Sequence, residues 1–187
     1  MLGALWRDWR ASRAREARTA AYVAALLAEP APEDVAWLAA HGTAGDADHA
    51  AWELRYARRA LGLLTAQRDA LDDRTASDVA RALERAMAAD AGVAPEKRRV
   101  AWRQLNARLR AYGEAVQRRS PPGTAWHLGS TLLDFAGRRG PVGDDVVAQA
   151  GEIAARTLEG TNAALRDCFG VAALPDDIAP SALAARR

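Results

Sequence analysis

The sequence predicts an all-α fold, a single-domain antiparallel helical bundle of about six to seven helices spanning residues 1–187. Three observations predict it. Apolar residues recur at steps of three and four along most segments, the period of a helix face and not of a strand. Alanine is abundant and isoleucine scarce, which favours helix over sheet. Proline and glycine punctuate the chain at residues 29–32, 42–45, 120–123 and 140–143, too briefly for interdomain linkers. With 50% hydrophobic and 27% charged residues the composition is globular, and six tryptophans add bulk to alanine-thinned faces.

The first helix is expected from Leu2 to about Ala28, as an N-terminal amphipathic segment within residues 1–29. Leu2, Leu5, Trp6, Trp9, Ala20, Val23, Ala24 and Leu27 share a face, with Arg7, Arg10 and Arg18 away from it. Arg13 and Glu16 intrude on the stripe and predict a less buried middle. Trp6 and Trp9 are the interaction candidates: the helix docks on the bundle or on another copy of the chain. Pro32, followed by Glu33 and Asp34, reads as the first turn of a short helix ending near Gly42.

Residues 41–71 hold the longest helical pattern and organise the chain. Ala50, Leu54, Ala57, Leu61 and Leu64 form a seam that Trp52, Tyr56, Ala60 and Leu63 widen to roughly 200°. So wide an arc predicts a helix touching several neighbours. Asp46 or Asp48 caps its start. Arg55, Arg58, Arg59, Thr65 and Asp69 fill the side expected to be wetter.

Glu53 projects into the apolar arc, with His49 one turn earlier on nearly the same side. A buried carboxylate must be paired, hydrogen-bonded or protonated. Two readings follow. Glu53 is a structural acid held by His49 or by an arginine from another helix. Alternatively His49 and Glu53 are metal ligands or an acid–base pair, with His127 joining them if its helix turns that way.

Thr75 is expected to cap the next helix, with the stripe Val79, Ala80, Leu83, Ala86 and Met87. Pro95 starts a further helix to about Arg119, with Ala101, Trp102, Leu105, Leu109, Tyr112 and Val116 inward. Residues 95–119 carry eight basic and two acidic groups, against a net charge of only +2 for the chain. Arg99, Arg103 and Arg110 line an outer face there and form the candidate for an anion or nucleic-acid contact. No DNA-reading motif accompanies them, so nucleic acid is not the expected partner.

Thr124 to about Arg138 forms a shorter helix with Leu128, Leu132, Leu133, Phe135 and Ala136 on its apolar side and His127 on the other. The last helix, about Asp144 to Phe169, has the cleanest stripe: Val146, Val147, Ala150, Ile153, Ala154, Leu158, Thr161, Leu165 and Cys168. Cys168, the one cysteine, reads as a packed thiol and leaves no internal disulfide. Gly170 suits the helix C-cap, and residues 170–187 form an irregular tail. No run approaches a membrane span, and the N-terminus lacks the apolar core of a signal peptide, so the cytoplasm is expected.

One local resemblance attaches to the central stretch. Asp48-His49-Ala50-Ala51-Trp52-Glu53-Leu54-Arg55-Tyr56 resembles the D-H-x-x-x-E-L-x-aromatic segment of the all-helical chaperones that mature molybdenum redox enzymes. It covers nine residues, comes early in the chain and lacks the acidic-proline lead usual before it. It implies that His49 and Glu53 help bind a client or its leader peptide. The residues themselves favour a non-enzymatic interaction protein (an adaptor, assembly factor or accessory subunit) with a protein partner or self-association and no cofactor. A helical-bundle enzyme on His49 and Glu53 is the alternative, and an anion or nucleic-acid binder on residues 95–119 the third.

Overall fold

In the computed structural model, residues 2–69, 73–90, 92–138 and 140–170 are described, without the side chains of residues 2–5, 7 and 8. Among them the chain forms seven α-helices: α1 Leu2–Leu26, α2 Pro32–His41, α3 Ala47–Asp69, α4 Asp73–Ala89, α5 Arg98–Gln117, α6 Thr124–Phe135 and α7 Asp144–Phe169. A one-turn 3-10 helix, Pro95–Lys97, leads into α5, and no strand occurs among the described residues. The expected inward positions Leu2 and Leu5 and the tail beyond Gly170 lie outside what is described.

The wide apolar arc of α3 has its predicted consequence: α3 packs against each of the other six α-helices. Ala50, Leu54, Ala57, Ala60, Leu61 and Leu63 are buried in one core with Leu38, Val79, Leu83, Leu105, Leu132, Ile153 and Leu165. Burying one such leucine or isoleucine contributes about 1.5–3 kcal/mol. The start of α3 is capped by Asp46, whose Oδ1 accepts the His49 N–H at 2.9 Å.

The wetter side assigned to α3 is largely absent. Thr65 is buried, and its hydroxyl meets that of Thr161 on α7 at 3.2 Å. Arg58 donates to the Ala28 and Glu29 carbonyls at 2.8 and 3.2 Å, just past the end of α1. Arg55 binds the Glu29 carboxylate through Nε and Nη2, at 3.0 and 2.6 Å. Together they tie the segment just past α1 to α3. Arg59 is buried outright. A helix in contact with six others keeps little of its middle for water: Arg55, Arg58 and Asp69 are half-buried, and only its ends, at Asp48 and at Gln67 and Arg68, are exposed.

Close approach needs small residues at two crossings. A Cβ on Gly62 would strike Leu26, and the Gly62 carbonyl accepts the Tyr22 hydroxyl at 2.9 Å, so α1 lies tightly on α3 there. A Cβ on Gly129 would collide with the backbone of Val147 and Gly151, and one on Gly151 with the Ala125 carbonyl. That paired register, 129 beside 147 and 125 beside 151, shows α6 and α7 running antiparallel.

Three sequence expectations need correction. α1 buries Thr19, Tyr22, Val23 and Leu26, while Ala20 and Ala24 face out. Of the two docking surfaces expected for Trp6 and Trp9, the bundle does not cover them: they are 59% and 51% exposed. Thr75 lies inside α4 and is not its cap, because the helix already starts at Asp73.

Candidate functional site

Glu53 and Arg108 meet at the centre of the bundle. Glu53 is 4% exposed and Arg108, from α5, is 5% exposed. Arg108 Nε donates to Glu53 Oε2 at 2.8 Å, and its Nη2 donates to Oε1 in a second, short hydrogen bond. The remaining terminal nitrogen, Nη1, donates to the Gln104 carbonyl at 3.0 Å and to the Gln104 side-chain oxygen. The guanidinium lies 4.8 Å from the Tyr56 ring centre and 4.3 Å from that of Phe135. Every part of this arginine is occupied: a carboxylate in its fork, an amide on its third nitrogen and aromatic rings beside it.

His49 stands at the edge of this pair. Its Nε2 is 3.6 Å from Glu53 Oε1, too far for a hydrogen bond, and its side chain is partly exposed. The structure therefore brings His49 and Glu53 together but gives Glu53 to Arg108. Of the two expectations for the acid, the arginine from another helix describes its surroundings. His127 makes its contact elsewhere, with Nε2 3.4 Å from the Ser120 carbonyl. Among the described residues no group of three or more histidine, cysteine or acidic side chains is placed to hold a metal ion.

Arg108 was missed by the sequence reading, yet a signal existed. Leu105, Arg108, Tyr112 and Ala115 follow steps of three, four and three, and all are buried. An arginine on that stripe is as out of place as Glu53 on its own, and the two anomalies answer each other. Tyr112 beside the pair holds its phenol proton far more tightly than usual. Burial is the main cause, with the Glu53 charge adding and the Arg108 charge opposing.

The other candidate residues lie on the surface. Arg99, Arg103 and Arg110 are exposed on α5 and make no ion pair among the described residues. At the far end of α1, Trp6 and Trp9 pack edge to face at 5.7 Å, with Arg13 4.9 Å over Trp9. Cys168 is partly buried and packs against the core, and burial raises its thiol pKa, with Asp167 adding.

Comparison of the chain with protein-family models, curated proteins and solved structures finds no match. No helix of the described residues is long and apolar enough to cross a membrane.

Proposed function

We propose that this chain is a non-enzymatic helical interaction protein, working in the cytoplasm, that docks through the N-terminal half of α1. The observation that carries this reading is the exposure of Trp6 and Trp9 on a helix whose side chains from residue 9 to 14 are all exposed. Two tryptophans on adjacent turns, flanked by arginines, have the composition of an interface centre. Soluble surfaces seldom leave such an apolar pair open without a partner, whether another protein or a second copy.

The chemistry of the bundle centre supports the same reading. Both oxygens of Glu53 accept from Arg108. An acid so engaged is poorly placed to bind a metal, move a proton or receive a client peptide, and only His49 of that pair is open to solvent.

Light scattering after size exclusion, on the wild type and a Trp6→Ser/Trp9→Ser variant, tests the proposal. The expected result is an oligomer or a co-purifying complex that the double substitution abolishes, with helicity unchanged. A monomer at all concentrations, with no partner whose binding depends on these tryptophans, contradicts it.

A second reading rests on the free arginines of α5. Arg99, Arg103 and Arg110 would hold an anionic polymer by salt-sensitive contacts. Retention on heparin at low salt, lost when all three become glutamine, is the outcome that reading requires.

A further inference from the structure

A second arginine is buried as deeply as Arg108 but without a carboxylate in its fork. Arg59 is 4% exposed, and its Nε has no hydrogen-bond partner among the described residues. Its guanidinium sits 5.9 Å from the Trp52 ring centre. It lines a cavity of about 150 Å³ between α3, α4 and the start of α5. Trp52, Tyr56, Met87, Ala101 and Trp102 supply its apolar walls.

A cavity of about 150 Å³ is the size that accepts a single benzene-like ring. Buried polar groups are nearly always satisfied, so an unanswered one calls for a partner: a water, an ion or a ligand. Here the unanswered donor belongs to a cation whose fork matches a carboxylate. Burial pulls the Arg59 guanidinium below the usual arginine range, and Asp90 at the cavity edge pulls it back up. The same edge holds Glu84 and Arg98, so the mouth is of mixed charge. Asp90 already accepts the Gly92 N–H at 2.8 Å through Oδ1.

We infer that this cavity is a binding site for a small single-ring organic carboxylate, its ring held among Trp52, Tyr56 and Trp102 and its carboxylate by Arg59. The site is separate from the α1 tryptophans and does not depend on their docking role. A bound acid would complete for Arg59 what Glu53 completes for Arg108. The acids at the mouth leave room for a zwitterion of the same class, whose ammonium would face Asp90 and Glu84.

Ligand-observed NMR titration of the full chain provides the test, with benzoate, benzamide, benzylamine and phenylalanine as probes. Benzoate is expected to bind saturably with a Kd of about 1 mM or tighter, ordinary for so small a ligand. Benzamide and benzylamine are expected to bind about tenfold more weakly or worse, for want of the charge-assisted hydrogen bonds. Phenylalanine binding tighter than benzoate would assign the site to amino acids; weaker binding would assign it to simple acids.

Arg59→Met is expected to abolish the preference for benzoate over benzamide. Ala101→Phe, which fills the cavity and keeps the arginine, is expected to abolish binding of every probe with helicity intact. It serves on its own should Arg59→Met not fold. No saturable benzoate binding by the wild type, or benzoate binding undiminished in either folded variant, overturns the inference.

Discussion

Arg59 and Arg108 make a controlled comparison inside one protein. Both are arginines, both are about as buried, and both lie beside Tyr56. Arg108 is answered on all sides, by Glu53, Gln104 and aromatic rings. Arg59 has the ring of Trp52 and an open cavity. The difference teaches that burial alone does not assign a role to a charge. A paired one fixes the relative position of two helices, and an unpaired one has binding capacity left over.

The largest expected effect comes from making Arg108 resemble Arg59. Glu53→Ala leaves a buried cation with no counter-charge and is expected to destabilise the fold by about 3–5 kcal/mol. Urea unfolding measures it, and a loss below about 1 kcal/mol would mean that the pair is not structural.

Alkaline pH probes Tyr112, beside the same pair, and Tyr22, where α1 meets α3. Burial raises the phenol pKa values of Tyr112 and of Tyr22, so the folded chain keeps protons that the unfolded chain releases. Their contribution is complete below about pH 10 and is lost as pH rises above it, by up to about 1.4 kcal/mol per unit for each tyrosine. Unfolding free energy measured from pH 8 to 11 is expected to be flat to about 10 and then fall. Tyr112→Phe is expected to make the fall shallower.

Removing both charges at once separates the pair's presence from its pairing. Glu53→Met with Arg108→Met is expected to recover most of the loss, ending within about 1 kcal/mol of the wild type, because matched apolar replacement of a buried ion pair is often neutral. The smallest effect belongs to the other end of the molecule. Trp6→Ser and Trp9→Ser, both exposed, are expected to change monomer stability by no more than about 0.5 kcal/mol.

Much of this was legible in residues 41–71. The breadth of their apolar arc foretold a helix with many neighbours, and α3 touches all six others. Glu53 was legible as an acid in the wrong place, because a period map shows which side chains share a face. The same map cannot say what stands opposite, so Arg108 went unread although it sits on the stripe of Leu105 and Tyr112. It failed in opposite senses at two places. Arg59 and Thr65 were assigned to water but are buried under neighbouring helices. Trp6 and Trp9 lie on an apolar stripe, yet both stay exposed. Amphipathic pattern fixes the direction of a face, and only the packing of other helices decides whether it is buried.

The most direct measurement sets the two arginines side by side. Urea unfolding of Arg108→Met and Arg59→Met, without added ligand, asks whether pairing or burial determines their roles. The account predicts a loss of about 3–5 kcal/mol for Arg108→Met, which strands Glu53, and a change within about 1 kcal/mol, or a gain, for Arg59→Met. Equal losses in the two variants would contradict it.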